Sequence, residues 1–351
     1  MAHNNLASPK PAQASPPPAT RTTVAQQAAP VVGTFGSNPP QPSADASRPK
    51  PASQPSWVAL QSWARASGLP TVSQLTSAGT SSFALRSGQE TFEFKTGSQA
   101  AQWDGLEIRL GFAPQLISEQ PYLNTIDLEK TVLPLLKGGA AGSSLSGPIV
   151  LDPGHGGDDS GTTSTVNGYK EKALTLDWAN RVKTVLEHKG LPVLLTRSND
   201  ANVPLSDRVI AAQEAKASVF VSLHFNAAAN NPNEAGIETY CLTPVGAPST
   251  ITRNYPDDPA QAFPNNAFDI QNVQLAANIH RTLIQETGGN DRGVRRARFL
   301  SVLRGQQCPA VLIEGGYLSN ALEARKLSDS EYRQQLAEAV AKAVENWMAA
   351  K

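Results

Sequence analysis

The sequence is poor in the features that mark several common protein classes. Only two of its 351 residues are cysteines, Cys241 and Cys308, and they form no CxxC pair, so neither thiolate-metal nor redox chemistry is indicated. Lysine plus arginine and aspartate plus glutamate number 30 each, and this zero net charge favours neither nucleic acid nor an anionic membrane as a partner. No stretch approaches the roughly 20 apolar residues of a membrane span, and the N-terminus has no apolar signal-peptide core.

Composition divides the chain into four predicted segments. Residues 1–56 hold 12 of the 27 prolines among alanine, serine and glutamine, which predicts a disordered arm because such a segment buries too little apolar surface to offset its ordering entropy. Residues 57–137 contain short runs of alternating apolar and polar residues, which predict a small β-rich accessory domain. Residues 138–146 are rich in glycine and serine and predict a linker. Residues 147–351 form the remaining, largest domain.

This C-terminal domain alternates strand-like and helix-like segments, which predicts an α/β fold with helices on both faces of a sheet. We expect strands at GPIVLDP, PVLLTR, SVFVSLHF, GIETYCL, FLSVL and PAVLIE. His155, His224 and Glu314 all fall where a predicted strand gives way to a loop, and Glu171 begins a predicted helix. Ligands of open α/β sheets gather at the carboxyl ends of the strands, so we expect these four side chains to converge there.

The chemistry of these four side chains suggests a metal hydrolase. Two imidazoles and a carboxylate form the set that holds catalytic zinc in several hydrolases, with a fourth position for water. A further glutamate beside such a metal is a suitable proton carrier for amide hydrolysis. A lone histidine is more often a structural residue, and we assign that role to His188 and His280. His155 differs because glycines flank it on both sides and give the backbone room at a crowded centre.

Five phrases of the sequence, taken in order, resemble a known family. They are DPGHGG, the helix start that contains Glu171 and Lys172, SLHFNA, RGVRRARFLSVL and PAVLIEGGYLSN. The same phrases occur in the same order in the zinc-dependent N-acetylmuramoyl-L-alanine amidases of type 3, which are cell-wall hydrolases. The resemblance covers residues 147–348, which is nearly the whole C-terminal domain.

The resemblance implies a site, a substrate and a fold. It implies one zinc ion (Zn2+) held by His155, Glu171 and His224, with Glu314 as the catalytic carboxylate. The implied substrate is peptidoglycan, cleaved at the amide between the lactyl group of N-acetylmuramic acid and the first L-alanine of the stem peptide. The implied fold is a twisted, mostly parallel sheet of about six strands between helices. This substrate predicts a location outside the cytoplasm, in the periplasm or after secretion, and leaves any regulatory protein open.

Three further residues are candidates for binding the substrate. Asn226 lies two positions after His224, on the same side of its predicted strand. Arg295 and Arg298 belong to an arginine-rich phrase that suits the carboxylates of a stem peptide. A solvated basic loop is an equally good interpretation of this phrase, whereas nucleic-acid binding would call for a net basic charge and interleaved aromatic residues.

Residues 243–269 form an unusual connection with five prolines. Some members of the family carry a regulatory helix here whose acidic residue plugs the zinc site. The prolines preclude a long helix and the connection contains no glutamate, so we expect a lid or groove wall anchored by Tyr255, Phe263 and Phe268. Two other functions remain open: a zinc peptidase that cuts within the stem peptide, and a non-catalytic wall-binding module.

Overall fold

The computed structural model describes residues 56–70, 72–77, 80–138, 146–251 and 257–350. The predicted arm of residues 1–56 lies outside this part of the chain except for its last residue. Most of the predicted linker, residues 139–145, and the predicted anchor Tyr255 also lie outside it.

The first part of the described chain is a small module dominated by antiparallel strands. Its strands are β1 (Trp57–Ala59), β2 (Ser73–Ser77), β3 (Thr80–Ser87), β4 (Glu90–Lys95), β5 (Ala100–Trp103), β6 (Leu106–Arg109), β7 (Gln115–Ile117) and β8 (Gln120–Asn124). Its helices are α1 (Leu60–Ala66), α2 (Thr125–Asp127), a π-helical turn (Leu128–Val132) and α3 (Leu133–Lys137). The side chain of Asn124 caps α2 by accepting a hydrogen bond from the backbone of Ile126, a common use of asparagine at this position.

The second part alternates strands and helices. Its strands are β9 (Ile149–Pro153), β10 (Val193–Leu195), β11 (Val219–Asn226), β12 (Ile237–Cys241), β13 (Asp291–Arg296) and β14 (Ala310–Tyr317). Its helices are α4 (Glu171–His188), α5 (Leu205–Glu214), a 3-10 turn (Pro264–Phe268), α6 (Asp269–Thr287), α7 (Ser301–Arg304), α8 (Ala321–Ser328) and α9 (Ser330–Ala349). The predicted fold class, a mostly parallel sheet between helices preceded by a small β-rich module, is confirmed.

Six strands form the central sheet in the order β10-β9-β11-β14-β12-β13. All neighbouring pairs are parallel except β12 and β14. One face packs against α4 and α6, and α9 packs against these two helices. Helix α4 buries Trp178 against Phe225 of β11 with ring centroids 5.2 Å apart. The opposite face carries a second apolar cluster under α5 and α7, which includes Phe220, Tyr240 and Leu312. Beyond this cluster, the second face carries the polar residues at the carboxyl ends of the strands.

One predicted strand is wrong. The FLSVL segment is not a strand, because Ser301–Arg304 forms the short helix α7, and the sheet instead takes the preceding residues Asp291–Arg296 as β13. Charged residues dominate DRGVRR, so its pattern does not resemble a buried strand. It can nevertheless lie in the sheet because its charged groups have partners: Arg296 donates to Lys130 O at 2.6 Å, and Asp291 Oδ2 accepts from the backbone of Glu107 at 2.7 Å.

The module and the central sheet are joined edge to edge. Strand β6 runs parallel to β13, with Ile108 opposite Val294, and the sheet continues through β5, β4 and β3 to β2. The guanidinium of Arg281 on α6 lies 3.5 Å from the ring centroid of Trp103 in the module, a cation-π contact. In the described part of the chain, no helix combines the length and apolar character needed to cross a bilayer.

Candidate metal centre and catalytic site

His155 lies in the first turn after β9, where the backbone of the centre is crowded. Its φ is +63°, in the left-handed region that a non-glycine residue adopts rarely. The preceding residue must be glycine, because a Cβ on Gly154 would lie 2.2 Å from Cε1 of His224. The glycine therefore lets the loop approach the second histidine.

Two buried arginines hold this loop through hydrogen bonds to its carbonyl oxygens and to Asp152. Arg208 donates to Asp152 Oδ1 at 2.7 Å and to the carbonyl oxygen of His155 at 2.8 Å. Arg197 donates to the carbonyl oxygens of Pro153 and Gly154 at 2.9 and 2.8 Å. Charge-assisted bonds to backbone carbonyls hold the loop in one conformation, so the position of His155 is determined before any ligand arrives.

His155, Glu171 and His224 come together as predicted, although His224 lies within β11 rather than after its end. Glu171 Oε1 lies 3.0 Å from His155 Nε2 and 3.1 Å from His224 Nδ1. One potential ligand atom from each residue lies within 4.8 Å of the other two. The backbone N–H groups of Phe225 and Thr162 donate to the two oxygens of Glu171 at 3.0 and 2.9 Å, which orients its carboxylate.

For Glu171 and His224 the environment favours the protonation states that a metal requires. For His155, burial is outweighed by hydrogen bonds and charges from Glu171 and Asp159, which raise its pKa. Burial opposes ionisation of Glu171, but hydrogen bonds and charges from the two histidines outweigh it and hold its pKa below the ordinary range. Burial lowers the pKa of His224 and so favours the neutral imidazole, the form that binds metal. Nδ1 of His155 lies 2.9 Å from Asp159 Oδ2, an outer carboxylate of the kind that orients histidine ligands. The two imidazoles and one carboxylate therefore fit zinc.

Glu314 lies beside this cluster on β14, directly opposite His224 of β11. It is only 3% exposed, and its Oε2 atom has no hydrogen-bond partner in the described part of the protein. Burial, followed by the charges of Glu171 and Glu238, raises the pKa of Glu314 well above its ordinary value. A buried carboxyl group with one oxygen lacking a partner is costly to fold and suits a residue that exchanges protons.

A second buried glutamate, Glu238, lies opposite Glu314 on β12. Its Oε1 accepts from Arg292 Nε at 2.8 Å and from the hydroxyl of Tyr317 at 3.2 Å. Its Oε2 accepts from the hydroxyl of Tyr240 at 2.5 Å and from Asn226 Nδ2 at 3.2 Å. The sequence analysis missed this residue, although a glutamate within the apolar strand GIETYCL was a signal that could have found it.

The three predicted substrate-binding residues lie in different surroundings. Asn226 is buried, and its amide bonds to Glu238 and to the backbone of Ala227. Arg295 of β13 lies opposite Tyr240 of β12, and its Nη2 is 3.5 Å from Glu238 Oε1. Arg298 is 2% exposed, and its guanidinium donates to the carbonyls of Pro244 and Ala247 and to Asp257. The contacts of Arg298 are thus with the 243–269 connection.

The described residues of that connection, 243–251 and 257–269, contain little regular structure. Its only regular element is the 3-10 turn that ends at Phe268, and Arg304 lies over the ring of Phe263 at 5.0 Å. Asp257 accepts from Ser249 N at 2.7 Å, in addition to its contact with Arg298. Within the described ranges, no acidic side chain of the connection joins the cluster of His155, Glu171 and His224.

Comparison with known proteins agrees with this geometry. A family model described as N-acetylmuramoyl-L-alanine amidase matches residues 149–346. The matched segment is more than half of the chain, and the chain belongs to this family.

Individual relatives match more than half of the chain. The sporulation-specific N-acetylmuramoyl-L-alanine amidase of Bacillus subtilis is 36% identical over 199 residues, which are 56% of this chain and 66% of that protein. N-acetylmuramoyl-L-alanine amidase AmiC of Escherichia coli is 32% identical over 252 residues, 64% of this chain and 59% of that protein. The chain thus spans less than two thirds of the length of these relatives. Among solved structures, the catalytic domain of CwlV from Bacillus (Paenibacillus) polymyxa has a TM-score of 0.49 and 32% identity, covering 58% of this chain and 99% of that one.

Proposed function

We propose that the protein is a zinc-dependent N-acetylmuramoyl-L-alanine amidase that hydrolyses the amide between N-acetylmuramic acid and L-alanine in peptidoglycan. The observation that carries the proposal is the convergence of His155, Glu171 and His224 within 4.8 Å, with Glu314 opposite His224 on the neighbouring strand. His155, Glu171 and His224 would hold one zinc ion. When bound, zinc supplies a Lewis acid that polarises the scissile carbonyl and makes water more acidic.

In this proposal Glu314 acts as the general base and then as the general acid. Its partnerless Oε2 accepts a proton from the attacking water and returns it to the departing alanine nitrogen. The raised pKa of Glu314 suits this exchange, because a proton carrier works best when its pKa lies near the working pH. Asp159 keeps the ring of His155 in place through the 2.9 Å contact at Nδ1.

The position of this site suggests a role for each part of the chain. We assign catalysis to residues 147–351 and an accessory role to the β-rich module of residues 57–137. Since peptidoglycan lies outside the cytoplasm, we also propose that the protein acts in the periplasm or at the cell surface. For the substrate contacts we assign the stem-peptide carboxylates to Arg295 rather than to Arg298, whose guanidinium is occupied by the connection.

Mass spectrometry of digested peptidoglycan tests the proposal. We expect free stem peptides that begin with L-alanine, together with intact glycan strands whose lactyl groups end in carboxylates. New amino groups only on later stem residues would contradict the amidase and identify a zinc peptidase. Absence of any cleavage by zinc-loaded protein would identify a wall-binding module, although all four residues of the catalytic set are present.

A further inference from the structure

Two arginines, Arg292 and Arg295, lie beside Glu238 at the end of the sheet that carries the proposed catalytic residues. They differ in the number of guanidinium N–H groups that have hydrogen-bond acceptors. Arg292 Nε binds Glu238 at 2.8 Å, and its Nη1 binds Glu234 at 2.5 Å. Arg295 donates from Nε to the carbonyl oxygen of Arg292 at 3.0 Å. Its Nη2 lies 3.5 Å from Glu238 Oε1, and its Nη1 has no hydrogen-bond partner among the described residues. Arg295 therefore keeps donors for a further anion.

Strand register places Arg295 on the face of the sheet that carries the catalytic residues. Glu314 lies opposite both His224 and Glu238, and Arg295 lies opposite Tyr240, two residues after Glu238. Directly opposed residues project from the same face, as do residues two apart on one strand. The base and the arginine with open donors therefore share one face, and Glu238 lies between their strands.

We propose that Glu238 is a positioning residue that holds Arg295 beside the catalytic groups, where the arginine binds a carboxylate of the stem peptide. This inference rests on the proposed function, since it names the part of the substrate that the same site recognises. Glu238 is suited to the task because it is 2% exposed and five side chains surround its two oxygens. Burial opposes its ionisation, but Arg295, the Tyr240 hydroxyl and Arg292 outweigh burial and keep its pKa low. Its charge is therefore permanent at neutral pH.

The prediction is a preference for stem peptides with free carboxylates over amidated ones. Replacing Glu238 by glutamine keeps the shape but removes the charge that attracts Arg295. We expect the Glu238→Gln variant to bind a carboxylate-bearing stem tripeptide about tenfold more weakly, in line with one lost charge-assisted hydrogen bond. Its KM for peptidoglycan fragments with free carboxylates should rise more than its KM for amidated fragments, because only the free acid uses the charge of Arg295.

The experiment is isothermal titration of the zinc-loaded protein with two soluble tripeptides, one with free side-chain carboxylates and one with these groups amidated. Wild type should bind the free acid more tightly, and Glu238→Gln should bind both peptides with similar, weak affinity. The matched control is Glu234→Gln, which removes the other carboxylate from Arg292 without touching Arg295 and should keep the wild-type preference. Arg295→Lys should behave like Glu238→Gln, because lysine is too short and lacks the planar fork.

Three results would overturn the inference. The first is equal affinity of the wild type for the two peptides. The second is an unchanged preference in Glu238→Gln, and the third is an equal loss of kcat/KM on acid and amidated substrates, which a merely structural role would produce. Binding is measured without turnover, so the two proposals can fail separately. A Glu238-dependent preference for the free acid would support this inference. Failure to release stem peptides that begin with L-alanine would contradict the proposed function.

Discussion

Replacing Glu314 by glutamine separates the proposed base from the proposed metal ligands. Glutamine has nearly the same shape but cannot accept and return a proton. We expect kcat to fall about 10²- to 10⁴-fold, the usual contribution of a general base, which corresponds to roughly 3–5 kcal/mol of barrier. Zinc content should stay at one per chain, because Glu314 is not among the three residues whose potential ligand atoms cluster.

The same substitution should stabilise the metal-free protein. Glu314 is 3% exposed, and one of its oxygens has no partner among the described residues. A buried unsatisfied group costs about 1–3 kcal/mol, and more when charged. Glutamine keeps a buried polar group at this place but carries no charge to be repelled by Glu171 and Glu238. The loss of that charge alone should raise the free energy of unfolding at pH 7 by about 1–3 kcal/mol. Thermal unfolding in a chelator would register this as a gain of about 2–4 °C for each kcal/mol.

The pH dependence of this gain has a definite sign. An acid with a raised pKa in the folded protein holds its proton more tightly there, so the contribution of Glu314 to the stability of the wild type falls as the pH rises above the unfolded value of about 4.3. Glutamine does not titrate. The advantage of the variant should therefore be smallest near pH 4 and grow towards pH 7. Zinc should reduce it, because a nearby cation favours the carboxylate.

Three results would refute this reasoning. Near-normal turnover of Glu314→Gln would show that another group carries the proton, and loss of zinc would make Glu314 a ligand. A metal-free variant less stable than the wild type at pH 7 would mean that the carboxylate has a stabilising partner. The Glu323→Gln variant is a useful comparison. The carboxylate of Glu323 accepts hydrogen bonds from the backbone of Gly236 and Tyr317, so this variant should be less stable than the wild type.

The remaining predictions concern the metal loop and the connection. Gly154→Ala should abolish zinc binding, as measured by elemental analysis, because its Cβ would lie 2.2 Å from the His224 ring; full occupancy would contradict the close approach. His155→Ala and His224→Ala should each lose zinc, and retention in both would exclude the assigned site. Arg298→Met should destabilise the protein by at least about 2 kcal/mol and speed proteolysis within residues 243–269, whereas unchanged cleavage would mean that Arg298 does not hold the connection. Shortening that connection should lower activity on polymeric wall, and a marked increase would instead favour autoinhibition.

The convergence of the cluster could be predicted because it depends on strand ends. His155 follows β9, and His224 and Glu314 lie in the carboxyl-terminal halves of β11 and β14 rather than after their ends. Neighbouring parallel strands still bring all three positions to one edge of the sheet. That the three cluster residues bind zinc remains a prediction, since the geometry alone does not test it. The five phrases led from a metal hydrolase to the N-acetylmuramoyl-L-alanine amidase family, and the family match over residues 149–346 agrees with that prediction.

Other features of the site depend on pairings that are distant in sequence. Glu238 and Glu314 are 76 positions apart in the numbering, and only the antiparallel pairing of β12 with β14 makes them neighbours. The arginine-rich phrase suggested a single group of arginines that binds the substrate. Its arginines lie on a strand and on the turn after it, and they contact different partners. Arg296 bonds to the module, Arg298 to the connection and Arg292 to Glu238. No periodicity within the phrase encodes these partners.

The edge-to-edge joint between β6 and β13 matters for anyone who wishes to transplant residues 147–351, the proposed catalytic part, onto another protein. Cutting the chain before residue 147 would leave β13 with unpaired backbone groups along one side, the kind of open edge that invites pairing between chains. Arg296 would also lose both of its acceptors in the module, Lys130 O and Thr131 Oγ1. A working chimera must therefore bring a replacement strand for that edge, and a flexible tether alone would yield a protein that self-associates.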